Sequence, residues 1–150
     1  MSFGYDKNKG KRMTKKKTYY PKETLKEIQE LPFAEWPERG IRKEIMELAG
    51  VRVKFSEEFG PTQINKVYFP VRNKNKKVTG YQVKDLTKDK EEDFHFYTVG
   101  TVKTSSAFFG VDTCRTNSKF LLICEGPADW LAVYQSLVDY QREFGKPEFK

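Results

Sequence analysis

The sequence lacks the residues that build several common kinds of site. It has two cysteines and one histidine, which excludes a zinc site of the usual four-ligand kind. Cys114 and Cys124 have no Cys-x-x-Cys partner, and both are expected to be reduced thiols. The longest apolar run, Phe120 to Cys124, is far shorter than the roughly 20 residues of a membrane-spanning helix. No apolar segment follows the N-terminal charges as in a secretory signal, so we expect a soluble cytoplasmic protein without a membrane partner.

The basic charge is concentrated at the N-terminus. The chain has 150 residues, enough for one domain or two small ones, and a net charge of +7. Seven of the 28 basic residues and one of the 21 acidic residues lie in the first 17 positions, so that stretch carries +6 and the remaining 133 residues carry +1. We therefore predict a basic disordered tail over residues 1–20. It is either a solvated linker or a segment that contacts phosphate backbones.

Residues 21–115 are predicted to form a helical and β-rich basic subdomain. Apolar residues at helical spacing predict helices over residues 22–31 and 41–48. Alternation of apolar and charged residues predicts a half-buried strand over residues 51–55. Further strands are predicted over residues 66–71, 78–86 and 94–99, with a hairpin tip at residues 73–77 between the first two. Pro70 favours a position at the edge or the end of its strand.

The last third of the chain has a different pattern. Lys119 to Cys124 is nearly continuously apolar, which predicts a strand buried on both faces, as in a parallel sheet covered by helices. A tight turn is predicted at residues 125–127, and a helix from Ala128 to about Phe144, ended by Gly145 with Pro147 after it. The predicted fold class is α+β / α/β, with a mixed β-rich basic subdomain followed by a strand–helix unit.

Two carboxylates, Glu125 and Asp129, follow the predicted buried strand. Sites of open α/β sheets lie at the carboxyl ends of strands, and these two residues are one helical turn apart. Carboxylate oxygens are ligands that suit Mg²⁺. The alternative is that Glu125 only favours the positive end of the helix and that Asp129 is a surface residue.

The segment from Phe120 to Leu131 resembles the first motif of a Toprim domain: an apolar strand, then Glu-Gly-x-x-Asp, then a helix. Four upstream segments resemble, in order, the basic subdomain that precedes Toprim in bacterial-type DNA primases; they are residues 67–71, 78–84, 96–100 and 109–110. Arg39 to Glu44, with Gly50 after it, resembles the opening of the catalytic domain in phage primase–helicases. The resemblance covers residues 37–145, and it implies that residues 116–150 are the first half of a Toprim domain.

The resemblance implies RNA primer synthesis on a single-stranded DNA template. It gives Glu125 a role in binding a catalytic divalent metal, Mg²⁺ or Mn²⁺, or in acid–base chemistry during phosphodiester formation. It places Asp129 in the same acidic cluster and among the metal ligands. The implied partners are the template, ribonucleotides and a replicative helicase, and a phage-encoded protein would act in the cytoplasm of its bacterial host.

Basic residues of the β-rich subdomain are candidates for contacts with template and nucleotide. Lys84 lies where the family often has a basic residue, and it is otherwise a solvated strand position. The other candidates are Lys66, Arg72, Lys74, Lys76, Lys77 and His95. The first five of these form a stretch without acids, either a hairpin that contacts phosphates or only a soluble loop tip. The strand aromatics Tyr68, Phe69, Phe96 and Tyr97 either stack on bases or pack in the core.

The sequence departs from the family pattern at several points. His95 lies where the family tends to have a lysine. The second Toprim motif, Asp-x-Asp, does not occur before Lys150, and neither a zinc module nor a Gly-x-x-x-x-Gly-Lys-[Ser/Thr] loop is present. We therefore expect the middle of a larger primase or a truncated one, with little or no activity alone. The alternative is a non-catalytic module that binds single-stranded DNA or a replication partner; a nuclease or topoisomerase fragment has no motif to support it.

Overall fold

A computed structural model describes residues 18–145 of the chain. Most of the predicted basic tail, residues 1–17, and the last five positions, Pro147 among them, lie outside this range. The described residues form a mixed α+β fold with three α-helices and four β-strands. The sequence predicts these elements and one further strand, at residues 119–124. None of these helices is long and apolar enough to cross a membrane.

The four strands form an antiparallel sheet in which they lie side by side in chain order. They are β1 (Arg52–Ser56), β2 (Gly60–Arg72), β3 (Val78–Asp85) and β4 (Phe96–Gly100). All four match predicted strands, although β2 begins at Gly60 rather than at residue 66. The predicted hairpin tip joins β2 to β3, and the Asn73 side chain accepts hydrogen bonds there from the backbone N–H groups of Asn75 and Lys77.

The strands place alternate side chains in two apolar layers on opposite faces of the sheet. Val67 and Phe69 of β2 pack in a first layer with residues of α2 (Lys43–Ala49) and α3 (Pro127–Phe144). Tyr68, which lies between them in sequence, packs in a second layer with Ile28 of α1 (Leu25–Glu30). Both faces of the sheet are therefore covered by helix.

Pro70 has no backbone N–H to donate, and it lies where this leaves no carbonyl of β1 without a hydrogen-bond partner. The final pairing between β1 and β2 joins Arg52 to Tyr68, so β1 has ended before Pro70 is reached. Pro70 pairs with Tyr81 of β3 alone. β2 is a central strand of the sheet, so the predicted edge position is wrong, whereas the predicted position near the end of the strand is confirmed.

Helix α3 is held to the rest of the fold by an apolar contact and a polar clamp. Leu131 is fully buried in the first layer. Further along the helix, the Arg42 guanidinium donates two hydrogen bonds to the Asp139 carboxylate, at 2.9 and 2.6 Å. The Gln135 side chain accepts from the Arg42 backbone N–H at 2.8 Å and donates to the Gly40 carbonyl at 2.7 Å. These contacts fix α3 against the residues that begin α2.

The predicted buried strand at residues 119–124 is wrong. Lys119 lies in a bend, residues 120–124 have no regular secondary structure and pair with no strand in the described part of the chain, and Ile123 is 87% exposed. A continuously apolar strand needs neighbours at its edges and cover on both faces. The sheet described here is antiparallel, and helices already cover its two faces. The helix of the predicted strand–helix unit is therefore present, whereas its strand is not formed.

Candidate functional site

The two predicted catalytic carboxylates lie at the N-terminal end of α3. Gly126 precedes the helix in extended conformation, and Pro127 occupies its first turn. Glu125 and Asp129 are both exposed, and Asp129 Oδ2 lies 3.9 Å from the point that a β-carbon on Gly126 would occupy. The helix end favours negative charge here because its first backbone N–H groups have no partner within the helix. Because both side chains are exposed, solvent and ligands can reach the two carboxylates.

Lys84 lies on β3 between two aromatic rings. Its ammonium nitrogen is 5.9 Å from the ring centre of Trp36 and 5.6 Å from that of Phe96. Lys84 pairs with Val67 across the β2–β3 ladder, so its side chain is on the face of the sheet that α3 covers. The rings hold a cation in a fixed place without neutralising its charge.

Charges from several elements act on the Lys84 ammonium. Burial lowers the pKa of the Lys84 ammonium, and the positive charges of Arg39 and Lys90 lower it further. The Asp129 carboxylate acts in the opposite direction, as Glu38 does, because a nearby negative charge favours the protonated lysine. Lys84 of β3 lies on the sheet face covered by α3, the helix whose first turn carries Asp129, although the two residues are far apart in sequence.

The β2–β3 hairpin carries four of the other basic candidates. Arg72 Nη1 donates to the carbonyl of Lys76 at 3.2 Å, which fixes the guanidinium at the base of the turn. Lys74, Lys76 and Lys77 are exposed, and their ammonium groups form no ion pair with any residue that the structure describes. The hairpin therefore presents uncompensated positive charge to solvent.

Lys66 has a different environment from the hairpin residues. Its ammonium lies 2.7 Å from Glu23 Oε1 and 2.8 Å from the Tyr97 hydroxyl oxygen. Lys66 is adjacent to Val67 in β2 and so points to the opposite face of the sheet from Lys84. Its surroundings are those of a structural ion pair beneath α1.

His95 lies just before β4 and is half-buried. Its Nδ1 atom is 3.1 Å from the carbonyl oxygen of Glu92, and its ring meets that of Phe96 edge-on at 5.4 Å. The Phe96 ring also contacts the Lys84 ammonium, so Phe96 lies between His95 and Lys84.

Sequence reasoning missed a cleft beside this region. It lies between the β2–β3 hairpin and residues 107–113, and its volume is about 200 Å³. Arg72, Lys74 and Lys76 line one side, and Phe108 lines the other with Trp130, the neighbour of Asp129. The signal in the sequence was the pair Phe108-Phe109 ahead of Gly110, which interrupts an otherwise polar loop.

The sequence matches no protein-family model and no curated protein. Among solved structures, the chain is similar to the crystal structure of the primase fragment of the bacteriophage T7 primase-helicase protein, with a TM-score of 0.55 and 24% identity. The fold is primase-like. The match covers 73% of this chain and 40% of that one, so this chain corresponds to less than half of the T7 fragment.

Proposed function

We propose that this chain is part of a DNA primase core, which binds a single-stranded DNA template and joins ribonucleotides into an RNA primer. The observation that carries the proposal is the position of Lys84 on the sheet face that α3 covers, in a primase-like fold in which the first turn of α3 carries the exposed Asp129. A lysine and exposed carboxylates in one place suit a reaction in which polyanionic triphosphates are aligned through a divalent cation.

The donor set is compatible with Mg²⁺ bound jointly by protein, water and nucleotide. No group of three or more histidine, cysteine or acidic side chains that could hold a metal occurs within residues 18–145. Mg²⁺ is usually held by one or two carboxylates together with substrate phosphates and waters, so Glu125 and Asp129 suffice on the protein side. When bound, the cation would neutralise triphosphate charge and lower the pKa of the primer 3′-hydroxyl.

The other residues then have separate tasks. The primer 3′-oxygen attacks the α-phosphorus of the incoming ribonucleotide, a P–O bond forms, and pyrophosphate leaves with the electron pair of the broken bond. Glu125 either accepts the hydroxyl proton or would ligate the cation, in which case the proton passes to solvent water; Asp129 would be a ligand of the cation. Lys84, held between Trp36 and Phe96, contacts phosphate oxygens of the nucleotide. The hairpin lysines contact the template backbone.

Primer synthesis by matched glutamate variants tests the proposal. The purified chain is incubated with single-stranded DNA, ribonucleotides and Mg²⁺ or Mn²⁺, at a high protein concentration because the chain alone is expected to be weakly active. RNA product is measured for the wild type, Glu125→Gln and Glu143→Gln. Glu143 is exposed near the far end of α3, about 25 Å from Glu125 at the rise of an α-helix. We expect the Glu125→Gln variant to lose at least about 100-fold of the product, as removal of a key charged group does, and Glu143→Gln to match the wild type.

Two results would count against the proposal. Equal product from Glu125→Gln and Glu143→Gln would exclude Glu125 from the chemistry. DNA binding without any RNA product would support a binding module instead of a polymerase.

A further inference from the structure

Phe108 is an exposed aromatic residue whose two neighbours in the chain are held in place by contacts with the rest of the protein. It is 89% exposed, while its neighbour Phe109 is packed into the protein. The Phe109 ring meets Trp130 edge-on at 5.2 Å and Phe69 edge-on at 6.0 Å. On the other side, the Ala107 N–H donates to the carbonyl of Arg72 at 2.8 Å. The loop is therefore anchored immediately before and after Phe108.

The cleft next to Phe108 carries net positive charge. Arg72, Lys74 and Lys76 line it, and Asp112 is the one acidic residue among its lining residues. Asp112 belongs to the loop of Phe108, whereas the three cations belong to the hairpin opposite. A phosphate would thus be drawn to the hairpin side, away from Asp112.

We propose that this cleft is a subsite for single-stranded DNA, in which Phe108 stacks on a base and Lys74 and Lys76 contact the neighbouring phosphates. Aromatic side chains beside a basic groove are the arrangement by which proteins bind single strands without sequence preference, because every base has a flat face to stack. An acidic peptide would match the cations but would leave Phe108 without a partner. This inference rests on the proposed function and deepens it, because it locates the template strand in a cleft that Trp130, the neighbour of Asp129, also lines.

Binding can be measured without nucleotides or metal, so the result does not depend on primer synthesis. Fluorescence anisotropy of a labelled oligothymidylate of about 12 nucleotides, within the usual site size of such modules, gives the Kd. The variants are Phe108→Ala, Phe108→Trp and the control Phe59→Ala. Phe59 is also exposed, but it lies before the start of β2, at the opposite end of that strand from Arg72.

We expect Phe108→Ala to weaken binding about tenfold, the effect of losing one stacked base. Phe108→Trp and Phe59→Ala should bind like the wild type. On an abasic oligonucleotide with the same number of phosphates, Phe108→Ala should have no effect, because no base is available to stack. Replacing Lys74 and Lys76 together with alanine should reduce the slope of log K against log salt by about 0.7 for each phosphate that the variant no longer neutralises.

Three outcomes would overturn the inference: no binding by the wild type, a Phe108→Ala variant that binds like Phe59→Ala, or an equal loss on the abasic strand. Because the Phe108 side chain is largely exposed, an unchanged Tm for Phe108→Ala shows that the variant is folded. If the wild type makes no primer but its DNA binding depends on Phe108, the proposed function is refuted and the subsite stands. If the wild type makes primer but its DNA binding does not depend on Phe108, only the subsite is refuted.

Discussion

The indole of Trp130 packs directly against the backbone of Gly110. A β-carbon on Gly110 would lie 2.2 Å from Cε2 and Nε1 of that ring, nearer than non-bonded atoms can approach. Gly110 also has a φ of 79°, in the left-handed region that glycine adopts most readily. This contact joins the loop that carries Phe108 to the first turn of α3, which carries Asp129.

Gly110→Ala should therefore destabilise the protein more than an alanine at an uncrowded glycine. Gly60 is the matched control, because its φ of 58° is similar and no atom lies within 4 Å of its would-be β-carbon. The left-handed conformation alone costs about 1 kcal/mol, and overpacking adds about 2 kcal/mol at Gly110. Urea denaturation gives both values; equal losses at the two sites would mean that the loop can move away from Trp130 freely.

The cluster of Glu23, Lys66 and Tyr97 should limit stability at both ends of the pH range. Burial alone would raise the pKa of Glu23, but hydrogen bonds from Lys66 and Tyr97 outweigh it, so the pKa lies below its ordinary 4.5. Burial opposes the charge of Lys66 as well, and the hydrogen bond to Glu23 raises its pKa above 10.5. Glu23 thus stabilises the fold above pH 4.5 and loses this effect as pH falls through its folded pKa. Lys66 stabilises it below pH 10.5 and loses this effect as pH rises through its own.

Glu23→Gln should abolish the loss of stability at acidic pH. It should also lower the free energy of unfolding at neutral pH by about 2 kcal/mol, a value between those of exposed and buried ion pairs. The Glu23 and Lys66 side chains are 20% and 21% exposed. Glu57→Gln is the control, because Glu57 is 93% exposed and its distance of 4.0 Å from Lys54 makes a weak ion pair. Chemical denaturation across the pH range measures both; a Glu23→Gln profile identical to that of Glu57→Gln would contradict the assignment.

The clamp between Arg42 and Asp139 should act as a coupled pair in thermal unfolding. The hydrogen bonds from Arg42 lower the pKa of Asp139 below its ordinary 3.8, so the pair stabilises the fold at neutral pH and weakens as pH falls through the folded pKa. Asp139→Asn should lower the Tm in the wild type but not in an Arg42→Ala background. Arg42→Lys should have a lower Tm than the wild type, because a lysine ammonium cannot donate two parallel hydrogen bonds to one carboxylate. Additive losses in the double variant would show that the two side chains act independently.

The exposed segment before α3 should tolerate polar substitution. Ile123→Thr is expected to leave the free energy of unfolding unchanged, because the side chain is 87% exposed. Ile45→Thr, at a site that is 3% exposed, should lose about 2 to 3 kcal/mol by removing apolar contact and burying a hydroxyl group. Equal losses in urea denaturation would mean that residues 119–124 form the buried strand after all.

Local patterns in the sequence located the four strands of the sheet and the three helices, but not how all four strands pair. β4 alternates buried and exposed side chains, whereas Val67 to Val71 of β2 are all buried because helices cover both faces of the sheet there. The apolar run at residues 119–124 failed as a predictor for a physical reason. It shows that a segment would be stabilised by burial, but it does not show that a partner is present to bury it.

The site was predicted less completely than the fold. Lys84 and Asp129 were singled out from their motifs, and their roles stay predictions; the structure places Lys84 on the sheet face covered by the helix that carries Asp129. The ion pair of Lys66 could not be foreseen, since its partner Glu23 lies 43 residues earlier in the chain. Phe108 and Phe109 are indistinguishable in sequence, and only the packing of Phe109 against Trp130 shows which of them faces solvent.

The most direct test of the central claim is the sequence of the RNA that the chain makes on a single-stranded DNA of known sequence. We predict a short RNA complementary to that template, formed with Mg²⁺ or Mn²⁺ and absent when Glu125→Gln replaces the wild type. RNA that is unrelated to the template, or the same product from Glu125→Gln, would contradict the account.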